Sequence, residues 1–332
     1  MTVSANLVAI GGGSGLAVLL RGLKTAVGND VDRLTAIVTV SDDGGSSGRL
    51  RRDFGVLPPG DIRNCLVALA HDEDLVAKLF QYRFAGGGRE LSGHSFGNLF
   101  LTALTGITGD FYQAVLTAEE ILSVRGRILP ATLHDLRLRA RGRSGRTYEG
   151  ESAVGRSGEP IDTLEIEPAR APAFPAALAA IQRADLLVLG PGSLYTSILP
   201  NLLIPGIGAA VRVRREAGVP VVLPLNLMTQ PGETDDMDAA DHIEALARNL
   251  GGNLVDRVLV PAGELPREVL ANYATVDSYP VEVDREALRG MGVEVVECDV
   301  LAGGDLIRHD PQKLSRAVIA NLAGANRIEP AS

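Results

Sequence analysis

Three glycine-rich segments carry residue types suited to phosphate. Gly11-Gly12-Gly13-Ser14-Gly15 follows the apolar run Asn6–Ile10 and precedes a stretch with helical apolar spacing. Glycines in that position let backbone N–H groups approach an anion, and a helix N-terminus adds a favourable dipole. Leu16 stands where a strict G-x-G-x-x-G would have glycine. No Lys-Ser or Lys-Thr follows as a Walker A loop requires. A second segment, Gly190-Pro191-Gly192-Ser193, follows the apolar run Asp185–Leu189. Gly192 and Ser193 can present N–H groups there, with the hydroxyls of Thr196 and Ser197 close by in sequence. Two such loops on one sheet edge could face one diphosphate from two sides.

The third segment is acidic. Asp42 and Asp43 stand in Ser41-Asp42-Asp43-Gly44-Gly45-Ser46-Ser47-Gly48, after the β-branched run Leu34–Val40. In an open parallel sheet, ligands bind beyond the carboxyl ends of the strands. An acid there can accept hydrogen bonds from ribose or sugar hydroxyls, and paired carboxylates could instead take Mg2+. Gly44 to Gly48 also spells G-x-S-x-G, the nucleophile-elbow pattern. A hydrolase would need a His and an acid against Ser46. No clear amphipathic helix is expected to follow, and the five His residues carry no signature.

Arg49, Arg51, Arg52 and Arg63 surround Pro58-Pro59-Gly60-Asp61, and arginine suits bidentate contact with phosphate or carboxylate. Ser92-Gly93-His94-Ser95-Phe96-Gly97-Asn98 leads small and polar residues into the apolar run Leu99–Leu104, the composition of a site wall. Asn226, in Asn226-Leu227-Met228-Thr229-Gln230, would reach the same edge from another strand. No His, Cys or acidic pair has zinc-site spacing, so no metal ligand is expected outside the Asp42 and Asp43 alternative.

These residues need a scaffold, and the pattern supplies one. Strands are expected at Asn6–Ile10, Leu34–Val40, Asp185–Leu189, Val219–Leu225, Val255–Val260 and Val293–Cys298. Helices are expected at Leu16–Lys24, Gly206–Glu216, Ala239–Leu250 and from Pro311 to Ala323. The alternation predicts an α/β fold, a Rossmann-like mostly parallel sheet with helices on both faces. Two stretches interrupt it. Residues 61–124 read as a helical elaboration, with Asp61 as an N-cap. At about 133–167 a small antiparallel β insert is expected, because Arg137, Arg139, Arg141 and Arg143 alternate with smaller residues like a solvated strand face. Residues 1–332 are thus read as one nucleotide-binding domain.

Composition narrows the function classes. The 332 residues are 45% hydrophobic and 22% charged, enough to bury a sizeable core. Net charge is −9, which argues against a nucleic-acid partner. Aromatics make up 4% with no Trp, too few for base-stacking platforms. Two distant cysteines, Cys65 and Cys298, fit a reducing cytosol, and no signal peptide is evident. Leu186–Val211 has no charged residue, but prolines and glycines break it, so no membrane span is expected.

Together the motifs resemble the CofD-like superfamily, in its YvcK-type gluconeogenesis factor branch. The resemblance runs in order along most of the chain. It rests on AIGGGSGL, VTVSDDGGSSGRLR, PPGDIRN, LSGHSFGNL, ITGDF, VRGRILPA, GPGSLYTSILPNLL, NLMTQPGETD and LIRHD. It implies a cytoplasmic UDP-sugar-binding protein with a role in cell shape and cell-wall synthesis on gluconeogenic carbon. On that reading Gly11, Gly12, Gly13, Ser14, Gly15, Gly190, Gly192 and Ser193 hold the diphosphate. Arg308, within LIRHD, adds a charge-assisted contact, and Asp42, Asp43, Asn98 and Asn226 meet sugar or ribose hydroxyls. No catalytic residue and no required cofactor is expected. A UDP-sugar or NAD(P) is the expected bound ligand, and cell-wall synthesis proteins and a homo-oligomer are the expected partners. The sister branch holds 2-phospho-L-lactate transferases. It implies the alternative, a transfer reaction from a nucleotide diphosphate donor with Mg2+ at Asp42 and Asp43. Pro59-Gly60-Asp61-Ile62-Arg63-Asn64 departs from the acidic segment usual in that branch.

Overall fold

The computed structural model describes residues 5–86, 88–263 and 265–322. In chain order the strands are β1 (Asn6–Gly11), β2 (Arg33–Val38), β3 (Arg127–Pro130), β4 (Arg137–Gly142) and β5 (Thr147–Glu149). They continue with β6 (Ile161–Glu167), β7 (Leu186–Leu189), β8 (Val221–Pro224), β9 (Arg257–Pro261) and β10 (Glu294–Cys298). Seven of them form one sheet in the order β10-β9-β8-β7-β1-β2-β3, every pair parallel. Its central strands are apolar and buried throughout, as a sheet covered on both faces requires: Leu7, Ala9, Ile10, Leu186, Leu187, Val188 and Leu189 have no exposed surface. The helix α1 (Gly13–Leu23) packs against α3 (Gly60–Leu69) and the helix Pro311–Ile319, and the helix Pro175–Gln182 packs against the helix Ile207–Glu216.

The strand order decides where a ligand can enter. From β1 the chain moves outward to β2 and β3, then returns to β7 on the other side of β1 and moves outward again to β10. The direction reverses between β1 and β7, and the crevice at such a switch point, beyond the strands' carboxyl ends, is the usual ligand position. Both phosphate-type glycine loops leave these two strands.

β4, β5 and β6 form a separate antiparallel sheet. Arg137, Arg139 and Arg141 lie exposed on one face, as the alternation predicts. Across the sheet Arg137 faces Glu167, and Arg139 faces Glu149 and Glu165. The row is therefore half of a charge ladder.

Several local expectations change. α1 begins at Gly13 rather than Leu16, because the glycine loop itself forms the first helical turn. Asp61 is not an N-cap; Pro59 takes that position and Asp61 lies inside the first turn of α3. A helix does follow the G-x-S-x-G segment: α2 (Gly45–Phe54) starts within it. The antiparallel insert also contains a helical turn, Glu151–Val154. The expected C-terminal helix spans Pro311–Ile319, and its expected end at Ala323 lies outside the described residues. Among the described residues no single helix is long and apolar enough to cross a membrane.

Candidate functional site

At the switch point the first and second glycine loops touch. A methyl group on Gly15 would stand 2.5 Å from the Pro191 carbonyl oxygen and 3.1 Å from Gly192 Cα. One on Gly12 would stand 2.5 Å from Asp61 Oδ2 and 2.7 Å from Thr39 Cγ2. Only glycine permits this approach, so the two loops make one continuous wall. Asn201, wholly buried, reinforces it by donating from Nδ2 to the Gly11 carbonyl (3.0 Å) and the Ser197 carbonyl (2.7 Å).

The wall borders a cleft of about 580 Å3. Gly12, Gly13, Ser14 and Gly15 line one side, and Gly192, Ser193 and Ser197 the other. Asn226 and Arg308 reach the same cleft. Asn226 donates to the Gly192 carbonyl at 2.9 Å, which ties β8 to the second glycine loop. Arg308 is exposed and arrives on the segment after β10, whose neighbour Asp310 is occupied as the N-cap of the helix Pro311–Ile319. Sequence patterns did not disclose Tyr273, Ser278 and His309, which close the far end. His309 is held neutral near and above pH 5, because burial brings its pKa down to about 4.

Eight of the thirteen proposed residues thus line one cleft. Gly11 and Gly190 lie just beneath it as strand-end backbone: Gly190 N–H donates to the Ile10 carbonyl at 2.8 Å. Asp42 and Asn98 line a neighbouring cavity, and Asp43 a third.

The second loop's donors are partly spent. Glu233, 3% exposed, accepts from the Tyr195 N–H at 2.8 Å, from the Thr196 N–H and from the Ser193 hydroxyl. Burial pushes its pKa up. Ser193 Oγ in turn accepts from the Thr196 N–H at 2.9 Å. Ser193 caps the helical turn Leu194–Ile198, Glu233 takes further N–H groups of the same turn, and the Gly192 and Ser193 backbone is left as the part of the loop facing the cleft.

The neighbouring cavity, about 270 Å3, begins behind Gly12. Asp42, Asp61, Arg63, Arg83, Asn64 and Asn98 line it, together with Ser46 and Ser47 at the start of α2. Asp61 accepts a hydrogen bond from Gly13 N–H, and its pKa rises to about 6, chiefly by burial. Glu151, on the antiparallel insert, is likewise raised well above the ordinary range by burial and by Asp61 and Asp42.

Ser46 Oγ lies 2.9 Å from His94 Nδ1 and accepts from Asn98 Nδ2 at 3.1 Å. A His without any sequence signature therefore does stand against Ser46. The arrangement still differs from a hydrolytic triad, in which Nε2 serves the hydroxyl and Nδ1 the acid. Among the described residues no carboxylate hydrogen-bonds to His94. Asp42 and Asp43 do not converge either. Asp42 Oδ1 accepts from Gly44 N–H at 2.9 Å, whereas Asp43 Oδ1 accepts from Ser152 N–H at 2.9 Å on the insert. The pair does not fit a shared Mg2+, and among the described residues no group of three His, Cys, Asp or Glu side chains is placed to hold a metal ion.

Known proteins share this architecture. The family described as 2-phospho-L-lactate transferase CofD matches residues 7–301. A relative from Nostoc sp. (strain PCC 7120) is 50% identical over 96% of this chain and 69% of its own length. The gluconeogenesis factor of Bacillus subtilis (strain 168) is 46% identical over 93% of this chain and 95% of its own. A crystal structure of a UPF0052 family member from Bacillus halodurans, 44% identical, superposes with a TM-score of 0.89 over 95% of this chain and 99% of that one.

Proposed function

Because this chain belongs to the CofD family, among relatives named gluconeogenesis factors, we propose that it is a cytoplasmic regulator that binds a UDP-sugar at the β1–β7 switch point. The observation that carries this reading is the joining of two glycine loops into one wall of one cleft. The diphosphate would lie along Gly12 to Gly15 and Gly192-Ser193, met by Arg308. The cleft runs toward β8 and Asn226, away from Asp42 at the end of β2. An NAD-type cofactor would place a ribose on an acid at the end of β2, so the geometry favours a nucleotide sugar over NAD(P). A regulatory role in cell shape and cell-wall synthesis on gluconeogenic carbon, through cell-wall synthesis proteins and as a homo-oligomer, completes the proposal. Calorimetric titration with UDP-GlcNAc, NAD and GDP in parallel tests it: a UDP-sugar should bind tightest, and preference for NAD would refute it.

A transferase is the second reading. One observation favours it: Asp61 touches the first glycine loop and also lines the adjoining cavity, so two ligands could meet across it. Turnover of a nucleotide diphosphate donor would replace the regulatory reading with this one.

A further inference from the structure

The G-x-S-x-G segment meets two conditions that a nucleophile elbow sets. It lies on a strand-to-helix turn: β2 ends at Val38 and α2 begins at Gly45, so Ser46 stands in the first turn of the helix, beyond the carboxyl end of the strand. Its last glycine has a steric reason. A methyl group on Gly48 would overlap the Asp43 carbonyl oxygen, so only glycine lets the helix start this close to the loop.

The protons around Ser46 can be assigned from its neighbours. Arg63 is buried and has only protons to give, and its Nη1 donates to Asn98 Oδ1 at 2.9 Å. That contact orients the amide, so Asn98 Nδ2 turns toward α2 and donates to Ser46 Oγ at 3.1 Å and to Ser47 Oγ at 3.3 Å. Ser46 Oγ accepts there and keeps its own proton for His94 Nδ1, 2.9 Å away. Burial lowers the His94 pKa, with Arg49 adding to the effect and Asp53 opposing it. The ring is therefore neutral at pH 7, and Nδ1 accepts while the other nitrogen carries the ring proton.

Ser46 is buried but lines the neighbouring cavity of about 270 Å3, as does Ser47. In an elbow the N–H after the nucleophile holds the oxyanion. Here that is Ser47 N–H, in the first turn of α2, and it has no partner among the described residues. Asp42 takes the Gly44 N–H, just before the helix, and leaves that of Ser47. The cavity's charges balance, since Asp42 and Asp61 share it with Arg63 and Arg83. Such a lining suits an uncharged substrate better than an anion.

We propose that Ser46 is a nucleophile with His94 as its base, and that this cavity is an acyl-transfer site for small uncharged esters. Ser46 Oγ bonds to the carbonyl carbon of the ester as its proton passes to His94 Nδ1, and Ser47 N–H holds the carbonyl oxygen. The ester C–O bond then breaks, and the leaving alcohol oxygen takes the proton from His94. Water completes the cycle. It gives a proton to His94 as its oxygen bonds to the acyl carbon, the bond to Ser46 breaks, and Ser46 Oγ recovers the proton. No carboxylate orients His94, so the pair works as a dyad, more slowly than a triad. The site stands independently of what the main cleft binds.

Incubation of the full chain with p-nitrophenyl acetate tests this, read as release of p-nitrophenolate and as the acetylated residue in acid-quenched samples. The acetyl group should sit on Ser46. Ser46→Ala should lower the release rate at least tenfold, and so should His94→Gln, since a general base typically contributes about 100- to 10,000-fold. The rate should rise with pH as His94 loses its proton and level off by pH 7, because burial holds that pKa below 6.5. Acetylation of surface lysines would instead keep climbing to pH 9. Phenylmethanesulfonyl fluoride should label Ser46 in the unmodified chain, a result that needs no variant to fold. Ser46 left unlabelled by the sulfonyl fluoride, a release rate unchanged in Ser46→Ala, or a rate still climbing above pH 7 would each overturn the proposal.

Discussion

The carboxylate of Asp61 accepts the backbone N–H of Gly13, the residue with which α1 begins. An acid therefore occupies a donor that a bound diphosphate would use. Its pKa is raised to about 6. A diphosphate in the cleft repels the ionised form, so binding raises that pKa further and takes up a proton. Protonation also frees the Gly13 N–H. The sign follows: affinity for a UDP-sugar, whose diphosphate does not titrate near neutrality, should rise several-fold as pH falls from 8 to 5.5. Asp61→Asn should flatten that profile. Calorimetry at four pH values checks both.

Ligand-free stability carries the same signature. The folded pKa of Asp61 lies above its unfolded value near 3.8, so its contribution is most favourable below pH 4 and is lost as pH rises through 6. Asp61→Asn keeps an acceptor for Gly13 and removes the charge. Its melting temperature should exceed that of the unmodified chain at pH 8, with a gain of up to about 2 kcal/mol, and converge with it at pH 4. Thermal unfolding at the two pH values decides it.

Arg308→Ala should weaken UDP-sugar binding by about 10- to 150-fold, the equivalent of roughly 1.5–3 kcal/mol. Arg308 is exposed, and Asp310 beside it already serves as a helix cap, so the ligand-free melting temperature should hardly move. Retained affinity would remove Arg308 from the site.

Metal removal separates the two functional readings. For a binding protein, EDTA should leave UDP-sugar affinity nearly unchanged. For a transferase, turnover of a nucleotide donor should require a divalent cation that neutralises developing phosphoryl charge.

Much of this was legible in the chain, for identifiable reasons. Buried parallel strands leave continuous apolar runs, so β1, β2, β7 and β9 could be placed within a residue or two. Glycine loops at strand ends marked the main cleft, and Asn226 and Arg308 entered it from motifs near the end of the chain. Contacts across long separations were not legible. Asp61 looked like the cap of its own helix, but its partner is Gly13, 48 positions away by number. His94 and Ser46 carry no local signature, and only the packing of the helix Phe96–Thr108 near α2 brings them together. Glycines have no side chains, so apolar periodicity could not show that Gly13 to Gly15 were already helical.

Gly15 offers the sharpest separation of packing from propensity. It sits in the first turn of α1 with ordinary helical backbone, where alanine would by itself be favoured by about 1 kcal/mol. The added methyl would stand 2.5 Å from the Pro191 carbonyl oxygen, a backbone atom that cannot swing aside. Overpacking of this kind typically costs 1–3 kcal/mol, so the net effect of Gly15→Ala should be a loss of stability. Relief would come from parting the two glycine loops, which would spoil the wall for a diphosphate. Gly106 is the control. It lies exposed in the helix Phe96–Thr108, and a methyl group there meets nothing within 4 Å. Gly106→Ala should raise the melting temperature and leave UDP-sugar affinity alone. Gly15→Ala should lower the melting temperature and weaken the ligand at least tenfold. If both variants gained stability and bound equally well, the two loops could not be forming one wall.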